Sequence, residues 1–349
     1  MKILIAASNM VHIKNFHQPY IERFRSLGHS VYVMARGEGA DFDIPFEKKS
    51  LSIANYKLSR RIREILKRES FDVIYLHTSL ASFWVRMALR GMKKRPYVVN
   101  TVHGYLFGKS SGRLHNTVYL FCEKLLRKQT DEIVVMNRED YVIATENRLC
   151  LGRVTSIDGM GVKFKENVGA PLRWENGKKN LVFVGEISKR KNQMFLVEAM
   201  KHLPKCALTL VGDGDCRGEI ERYVKEAGLE ESVRVTGFTS NAYEYIKGCD
   251  LYVSASSIEG LPFNIMEAMR MGKRIIASDI KGHCDLLPSE QLYQLGDMDG
   301  YVALVEKFLD GKGAEYDTEK YSLGAVLDKN VALYLSFLGD TSSENGGDI

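Results

Sequence analysis

Glu259 and Glu267 are the residues whose type and setting point most directly to chemistry. They lie in Ser256-Ser257-Ile258-Glu259-Gly260-Leu261-Pro262-Phe263-Asn264-Ile265-Met266-Glu267-Ala268-Met269, behind the apolar run Leu251–Ala255. Such a run reads as a buried parallel strand. Pro262 suits the first turn of a helix, where a missing N–H costs nothing. Gly272 stands where that helix should stop, and Arg274–Ser278 reads as the next strand. The predicted unit is strand, glycine-bearing loop, helix, strand. In such units a ligand sits beyond the carboxyl end of the strand, facing the helix N-terminus. Unpaired N–H groups and a partial positive charge make that terminus a diphosphate site. Carboxylates beside an anion do not ligate it; they accept hydrogen bonds from hydroxyls. A nucleotide-sugar has hydroxyls on both sides of its diphosphate, and it is the ligand that this pattern predicts.

The elements that must position these residues repeat along the chain. Its 349 residues are enough for about two domains, each with a full core. The first half alternates helical stretches with short apolar runs at 3–7, 31–35, 72–76, 97–102 and 133–136, and the second half has runs at 181–185, 208–212, 233–237, 251–255 and 274–278. Strands alternating with helices imply parallel sheets covered on both faces. The polar stretch 163–179 is the expected linker, 341–349 the expected disordered tail, and 317–338 a last helix that crosses back to the first domain. The six cysteines are scattered without metal-ligand spacing, as in a reduced cytoplasmic protein. The run at 3–7 is too short for a signal peptide, and no run approaches the ~18 apolar residues that span a bilayer.

Charge divides unevenly. Residues 1–165 hold 28 Lys and Arg against 15 Asp and Glu, and residues 166–349 hold 21 against 29. A basic half of this kind meets nucleic acid, anionic lipid or phosphorylated substrates. Its cations concentrate at 57–68, 86–95 and 127–128. The first of these reads as an amphipathic helix with Leu58, Ile62, Ile65 and Leu66 as its apolar stripe. With Trp84, Tyr105, Phe107 and a helix at 115–128, they predict an interfacial membrane-binding face. The loop after the first strand lacks a Gly-x-Gly-x-x-Gly fingerprint, which counts against a dinucleotide enzyme. It carries His12 and His17, each on its own reading as a half-exposed structural histidine.

At Glu259-Gly260-Leu261-Pro262 through Glu267 the chain resembles the Glu-x7-Glu signature of retaining glycosyltransferases of family four. That resemblance implies the α/β GT-B fold: two doubly wound Rossmann-like domains facing each other across a cleft. The acceptor domain is expected over 1–165 and the donor domain over 166–340. It also implies that Glu259 contacts the donor sugar and Glu267 the ribose, with Gly260, Leu261 and Pro262 in the donor loop. Thr101-Val102-His103-Gly104 matches the place of the family's histidine near sugar transfer, so His103 and Glu259 are the expected catalytic residues. Gly185 through Asn192 resembles the family's diphosphate loop; Glu186 replaces its Arg, and Lys191 keeps its Lys. Val211-Gly212-Asp213-Gly214, Thr236-Gly237-Phe238 and Gly282-His283-Cys284-Asp285 resemble further donor-side loops. Asn15 to Tyr20, Asp43 to Phe46 and Asn137 to Asp140 are similar to the bacterial exopolysaccharide and capsule-assembly branch.

The expected activity is retaining, metal-independent transfer from a UDP-sugar to a polyprenyl-diphosphate-linked saccharide. It would take place at the inner face of the cell membrane, with an anionic membrane surface as partner, no nucleic acid and no cofactor. Three alternatives stay open. A glycoside hydrolase would also use two carboxylates, about 5 Å apart if retaining, but needs neither a phosphate loop nor a basic half. A same-fold transferase with a soluble acceptor leaves the basic half unexplained. A non-catalytic nucleotide-sugar binding module draws its support from Glu186.

Overall fold

The structure, a computed structural model, describes residues 1–47, 52–311 and 313–339. The expected tail at 341–349 lies outside the described residues. The chain divides into two compact units, Val162–Ser322 and the remainder. The first unit is built in order from β1 (Lys2–Asn9), α1 (Met10–His12), α2 (Gln18–Ser26), β2 (Ser30–Arg36), β3 (Phe42–Asp43), α3 (Ile53–Glu69), β4 (Val73–His77), α4 (Ser79–Leu89), β5 (Tyr97–Thr101), α5 (Arg113–Leu125), β6 (Glu132–Val135), α6 (Arg138–Glu146) and β7 (Val154–Ser156). Its strands form a parallel sheet of order β3-β2-β1-β4-β5-β6-β7 among the described residues. The central strands are buried from end to end, as the apolar runs require.

The second unit runs β8 (Lys179–Val184), α7 (Gln193–Ala199), β9 (Cys206–Val211), α8 (Arg217–Glu226), β10 (Val233–Val235), α9 (Ala242–Gly248), β11 (Leu251–Ser254), α10 (Phe263–Arg270), β12 (Ile275–Ser278), β13 (Leu292–Tyr293) and α11 (Met298–Phe308). Its parallel sheet has the order β10-β9-β8-β11-β12-β13. The last helix, α12 (Leu323–Gly339), belongs to the first unit. Tyr75 Oη donates to the Tyr334 carbonyl (3.1 Å), Thr101 Oγ1 meets Tyr334 Oη (2.9 Å), and Asn330 Nδ2 donates to Tyr20 Oη (2.9 Å).

In each sheet the strand order reverses beside the first strand of the unit: β1 pairs with β2 on one side and β4 on the other, and β8 with β9 and β11. Two loops diverge at such a switch point and leave a crevice at the carboxyl ends of the strands. Those crevices place the residues described next.

Several expectations are corrected. The 163–179 stretch is not a free linker: it lies in the second unit, where Lys165 Nζ and the Gly169 N–H both bond Glu244 Oε1 (2.9 and 3.2 Å). The last helix starts at Leu323, after a 3-10 turn at Glu319–Tyr321. Trp84, Tyr105 and Phe107 are core residues, each 4% exposed, so they cannot belong to a membrane face. Arg86 is fully buried and grips Glu123 with both terminal nitrogens (2.8 and 3.0 Å), and Arg95 does the same to Asp131. On α3, Ile62, Ile65 and Leu66 pack into the core while Lys57, Arg60, Arg61, Lys67 and Arg68 remain exposed. The Asn137 to Asp140 motif is a cap: the Asn137 side chain accepts from the Asp140 N–H (2.8 Å), and Asp140 accepts from the Tyr105 N–H (3.1 Å).

Candidate active site

In the second unit the strand-end loops of β8 and β11 meet. Gly185 and Gly212 have φ values of 149° and 144°. A Cβ on Gly212 would run into the Gly185 carbonyl oxygen, so glycine there is a condition of the close approach. The β8 loop then crosses to β11, where the Ser257 N–H donates to the Arg190 carbonyl (2.8 Å). That backbone bridge delivers two cations to one carboxylate. Lys191 Nζ lies 2.6 Å from Glu259 Oε1, and Arg190 lies 3.1 Å from Glu259 Oε2 while also donating to the Ile258 carbonyl. Glu259 is 7% exposed. Burial alone would raise its pKa; Lys191, then Arg190, then His283 overcome this and hold it at about 2. The carboxylate is therefore ionised, and Lys191 is locked to it.

The sequence pattern anticipated each of these residues but not their pairing. It assigned Lys191 to phosphate and Glu259 to sugar, and the structure joins them. Of the two other cations of this loop, both exposed, Arg190 turns onto Glu259 and comes within 3.9 Å of Glu186.

Pro262 is the extended N-cap of α10 (φ −75°, ψ 119°), one residue before the helix proper, and no side chain caps it. Within the first turn the Ile265 N–H donates to Asn264 Oδ1 (3.0 Å). Five positions in, Glu267 accepts from Tyr243 Oη (2.9 Å); burial raises its pKa against that hydrogen bond. Asn264 Nδ2 donates to the Val184 carbonyl (2.8 Å), tying α10 to the end of β8 beside Gly185. Gly282, at φ 82°, lets its loop pass against the Gly260 carbonyl, where a Cβ would lie 2.7 Å away. His283 is buried, with Nδ1 2.9 Å from the Ser278 carbonyl, which makes Nδ1 the protonated nitrogen.

In the first unit the matching crevice is lined by histidines. Asn9 caps α1 by accepting the His12 N–H (2.9 Å), and the helix widens into a π turn, Ile13–His17, before continuing as α2. Pro19 has no N–H to offer the preceding turn, a standard cause of such irregularity. The wide turn brings two residues five apart to one side, with the His12 and His17 ring centroids 5.0 Å from each other. His77, ending β4, stacks 3.8 Å from His17 and places Nδ1 3.1 Å from His103 Nε2. Burial lowers the pKa of His12 to about 4 and holds those of His17, His77 and His103 well below the ordinary 6.5, so all four are neutral at pH 7. Thr78, the next residue, holds φ 71°, an outlier for a β-branched side chain. Its Oγ1 accepts the Ser8 N–H (3.0 Å), which ties the β1 and β4 loops together. Thr78, Asn100, Thr101, His103 and Gly104 help line a pocket of about 290 Å³. Sequence reasoning singled out His103 and treated His12 and His17 as separate structural histidines; it missed His77. The pair spaced by five, followed by proline, was the available signal.

A family model described as glycosyl transferases group 1 matches residues 164–322, and one described as glycosyltransferase family 4 matches residues 20–147. The chain belongs to the GT-B glycosyltransferases. Both models cover the residues above, Lys191, Glu259 and Glu267 in one and His77 and His103 in the other. The transferase is 28% identical over 330 residues to the putative glycosyltransferase EpsD of Bacillus subtilis, covering 88% of this chain and 87% of the relative. It is 25% identical over 291 residues, 78% of this chain and 75% of the relative, to the UDP-Gal:alpha-D-GlcNAc-diphosphoundecaprenol alpha-1,3-galactosyltransferase of Escherichia coli. Among solved structures, Anabaena HepE in complex with UDP-glucose superposes with a TM-score of 0.67 at 17% identity, covering 99% of this chain and all of that one, a likeness of fold.

Proposed function

We propose that this transferase moves a sugar, with retention, from a UDP-sugar to a polyprenyl-diphosphate-linked saccharide, without a metal ion at the diphosphate. The observation that carries the reading is the buried, ionised Glu259 held between Lys191 and Arg190 at the loop leading into α10. A diphosphate at this loop meets two cations and the partial positive charge at the N-terminal end of α10, so charge developing on the leaving group is stabilised without a divalent ion. Glu259, then sharing its cations with the donor, accepts from a sugar hydroxyl. Glu267, oriented by Tyr243, accepts from the ribose. His103 takes the role its motif carries in the family. The Escherichia coli relative, named for a UDP-sugar and a lipid-diphosphate acceptor, supports the choice of both substrates.

The same reading places the protein on the cytoplasmic face of the membrane, through α5 and not through the buried aromatics. Leu114, Val118, Phe121 and Leu125 recur at helical spacing and are 80, 47, 64 and 38% exposed. The exposed cations Arg113, Lys124, Arg127 and Lys128 accompany this stripe. Apolar side chains with cations beside them suit an anionic leaflet. Among the described residues no helix is long and apolar enough to cross a membrane.

Calorimetry and turnover of Glu259→Gln and Glu267→Gln test the central assignment. Each variant should lose at least ~10²-fold in turnover, the scale of one positioned polar contact in a catalytic site. Glu267→Gln should weaken free UDP, and Glu259→Gln only the sugar-bearing donor. Parental binding and turnover in both would sink the assignment. Activity should also survive EDTA; its loss, with recovery in manganese or magnesium, would overturn the metal-free step.

A further inference from the structure

The histidine crevice of the first unit holds more nitrogen ligands than the proposed reaction uses. One ring nitrogen from each of His12, His17 and His103 lies within 4.8 Å of the other two. His17 is 1% exposed, and neither of its ring nitrogens has a hydrogen-bond partner; the buried Nε2 of His12 has none either. Buried polar atoms without partners are uncommon and costly, so three at one place call for something that satisfies them. The rings pack on one another, with centroids 5.0 Å apart for His12 and His17, 5.0 Å for His12 and His103, and 5.4 Å for His17 and His103. An imidazole nitrogen that carries no proton and no hydrogen-bond partner offers its lone pair to a cation.

We propose that His12, His17 and His103 form a binding site for a transition-metal dication, zinc in the first instance, and that its occupancy inhibits transfer by engaging His103. Imidazole ligands select zinc, copper and nickel over magnesium and calcium. Zinc–nitrogen bonds of ~2.0–2.1 Å put the ligand atoms of a tetrahedral site ~3.3 Å apart, and ring rotations of an ångström or so bring the three nitrogens to that spacing. His77 supplies the outer contact, its Nδ1 3.1 Å from His103 Nε2, of the kind that orients a ligating ring. Three protein ligands leave the fourth position open to water or to an oxygen of a bound substrate. The π turn that gathers His12 and His17 gives this wide turn a purpose. The inhibitory half rests on the role assigned to His103; the binding half does not.

The test uses the full chain, stripped with a chelator and titrated with cobalt(II) as a spectroscopic stand-in, then with zinc against a chromophoric chelator. One equivalent of cobalt should produce the intense visible bands of a four-coordinate site, and zinc should displace it. His12→Ala and His17→Ala should each weaken zinc by at least ~10-fold. His12 is half-exposed, so His12→Ala carries the comparison if the fully buried His17 does not tolerate removal. If neither variant folds, the cobalt spectrum of the parent decides. Absence of the bands in the parent, or His12→Ala binding zinc as tightly as the parent, would overturn the site. Zinc should slow transfer by the parent and leave His12→Ala unaffected at the same concentration. Binding without inhibition would overturn the inhibitory half. Because binding is read without turnover, failure of the donor-site assignment leaves this result standing, and the converse holds.

Discussion

Two crevices of the same topology handle buried polar groups in opposite ways. At the β1/β4 switch point the chain gathers four neutral imidazoles, and at the β8/β11 switch point it gathers a carboxylate and two cations. Burial acts on both. Among the histidines nothing opposes it, and the rings stay uncharged. On Glu259 two cations overcome it, and the group stays charged. A neutral cluster tolerates missing partners at the cost of a few unmet hydrogen bonds. A charged cluster cannot, because an unpaired buried ion costs several kcal/mol. The difference teaches that the shared fold supplies the crevice and the local charge balance decides what the crevice can hold.

The largest predicted effect breaks the charged cluster. Lys191→Met should destabilise the protein by ~3–5 kcal/mol, the usual cost of removing one partner of a buried pair. Arg190, the more exposed of the two cations, would offset part of that. Removing both charges, as Lys191→Met with Glu259→Leu, should recover most of the stability in chemical denaturation and none of the transfer activity. If the single and double variants unfold alike, the pair is not the electrostatic centre of its unit.

Next in size is His103→Asn, which should cut transfer at least ~10²-fold while costing less stability than Lys191→Met, because no charge is left uncompensated. An equal loss of stability in the two variants would erase the contrast between the crevices.

How far the sequence anticipates this arrangement follows from the same contrast. Buried parallel strands read as apolar runs, so the two series and the switch-point logic are legible from Ile3 to Ser278. Strands β3, β7 and β13, of two or three residues, carry too little pattern to announce themselves. Glu259 and Glu267 are legible because their spacing sits on one loop and helix. The Lys191–Glu259 contact joins positions 68 apart, brought together by the bonds of Ser257 to the Arg190 carbonyl, which no local pattern announces. His12 and His17 look unrelated at α-helical spacing and meet only through the π turn. Trp84, Tyr105 and Phe107 misled because an aromatic beside a cation reads the same whether it packs inward or outward. The exposed stripe Leu114, Val118, Phe121 and Leu125 on α5 went unread in the sequence, although its helical spacing was the available signal.

The docking surface comes next. Phe121→Ser should weaken binding to anionic vesicles by about tenfold, since part of a phenylalanine's ~1.5–3 kcal/mol of burial is lost. Reversing Arg127 and Lys128 to Glu should weaken it further in low salt than in high, as screening within ~8 Å at physiological salt requires. Neither change should alter UDP binding. Equal sedimentation of parent and variants, or no binding to any vesicle, would move the acceptor from a lipid-linked saccharide to a soluble one.

The smallest effect is in acid. Glu259 has a folded pKa of about 2 against an ordinary 4.5, so the unfolded chain binds the extra proton. The stability it contributes is present in full above pH 4.5 and is lost as pH falls towards 2. At pH 4 the loss is under ~1 kcal/mol, because the folded carboxylate is still ionised and only the unfolded one has taken up its proton. Replacing it, as in the Lys191→Met with Glu259→Leu variant, should remove this part of the acid slope and leave neutral-pH stability near that of the parent. The buried imidazoles of the other unit leave stability flat above pH 7 and steepen its loss below about pH 6.5 in parent and variant alike, so the charged crevice is read from the difference between their acid slopes. Unfolding curves that keep the same acid slope in parent and double variant would show that Lys191 and Arg190 do not hold Glu259 where the geometry puts it.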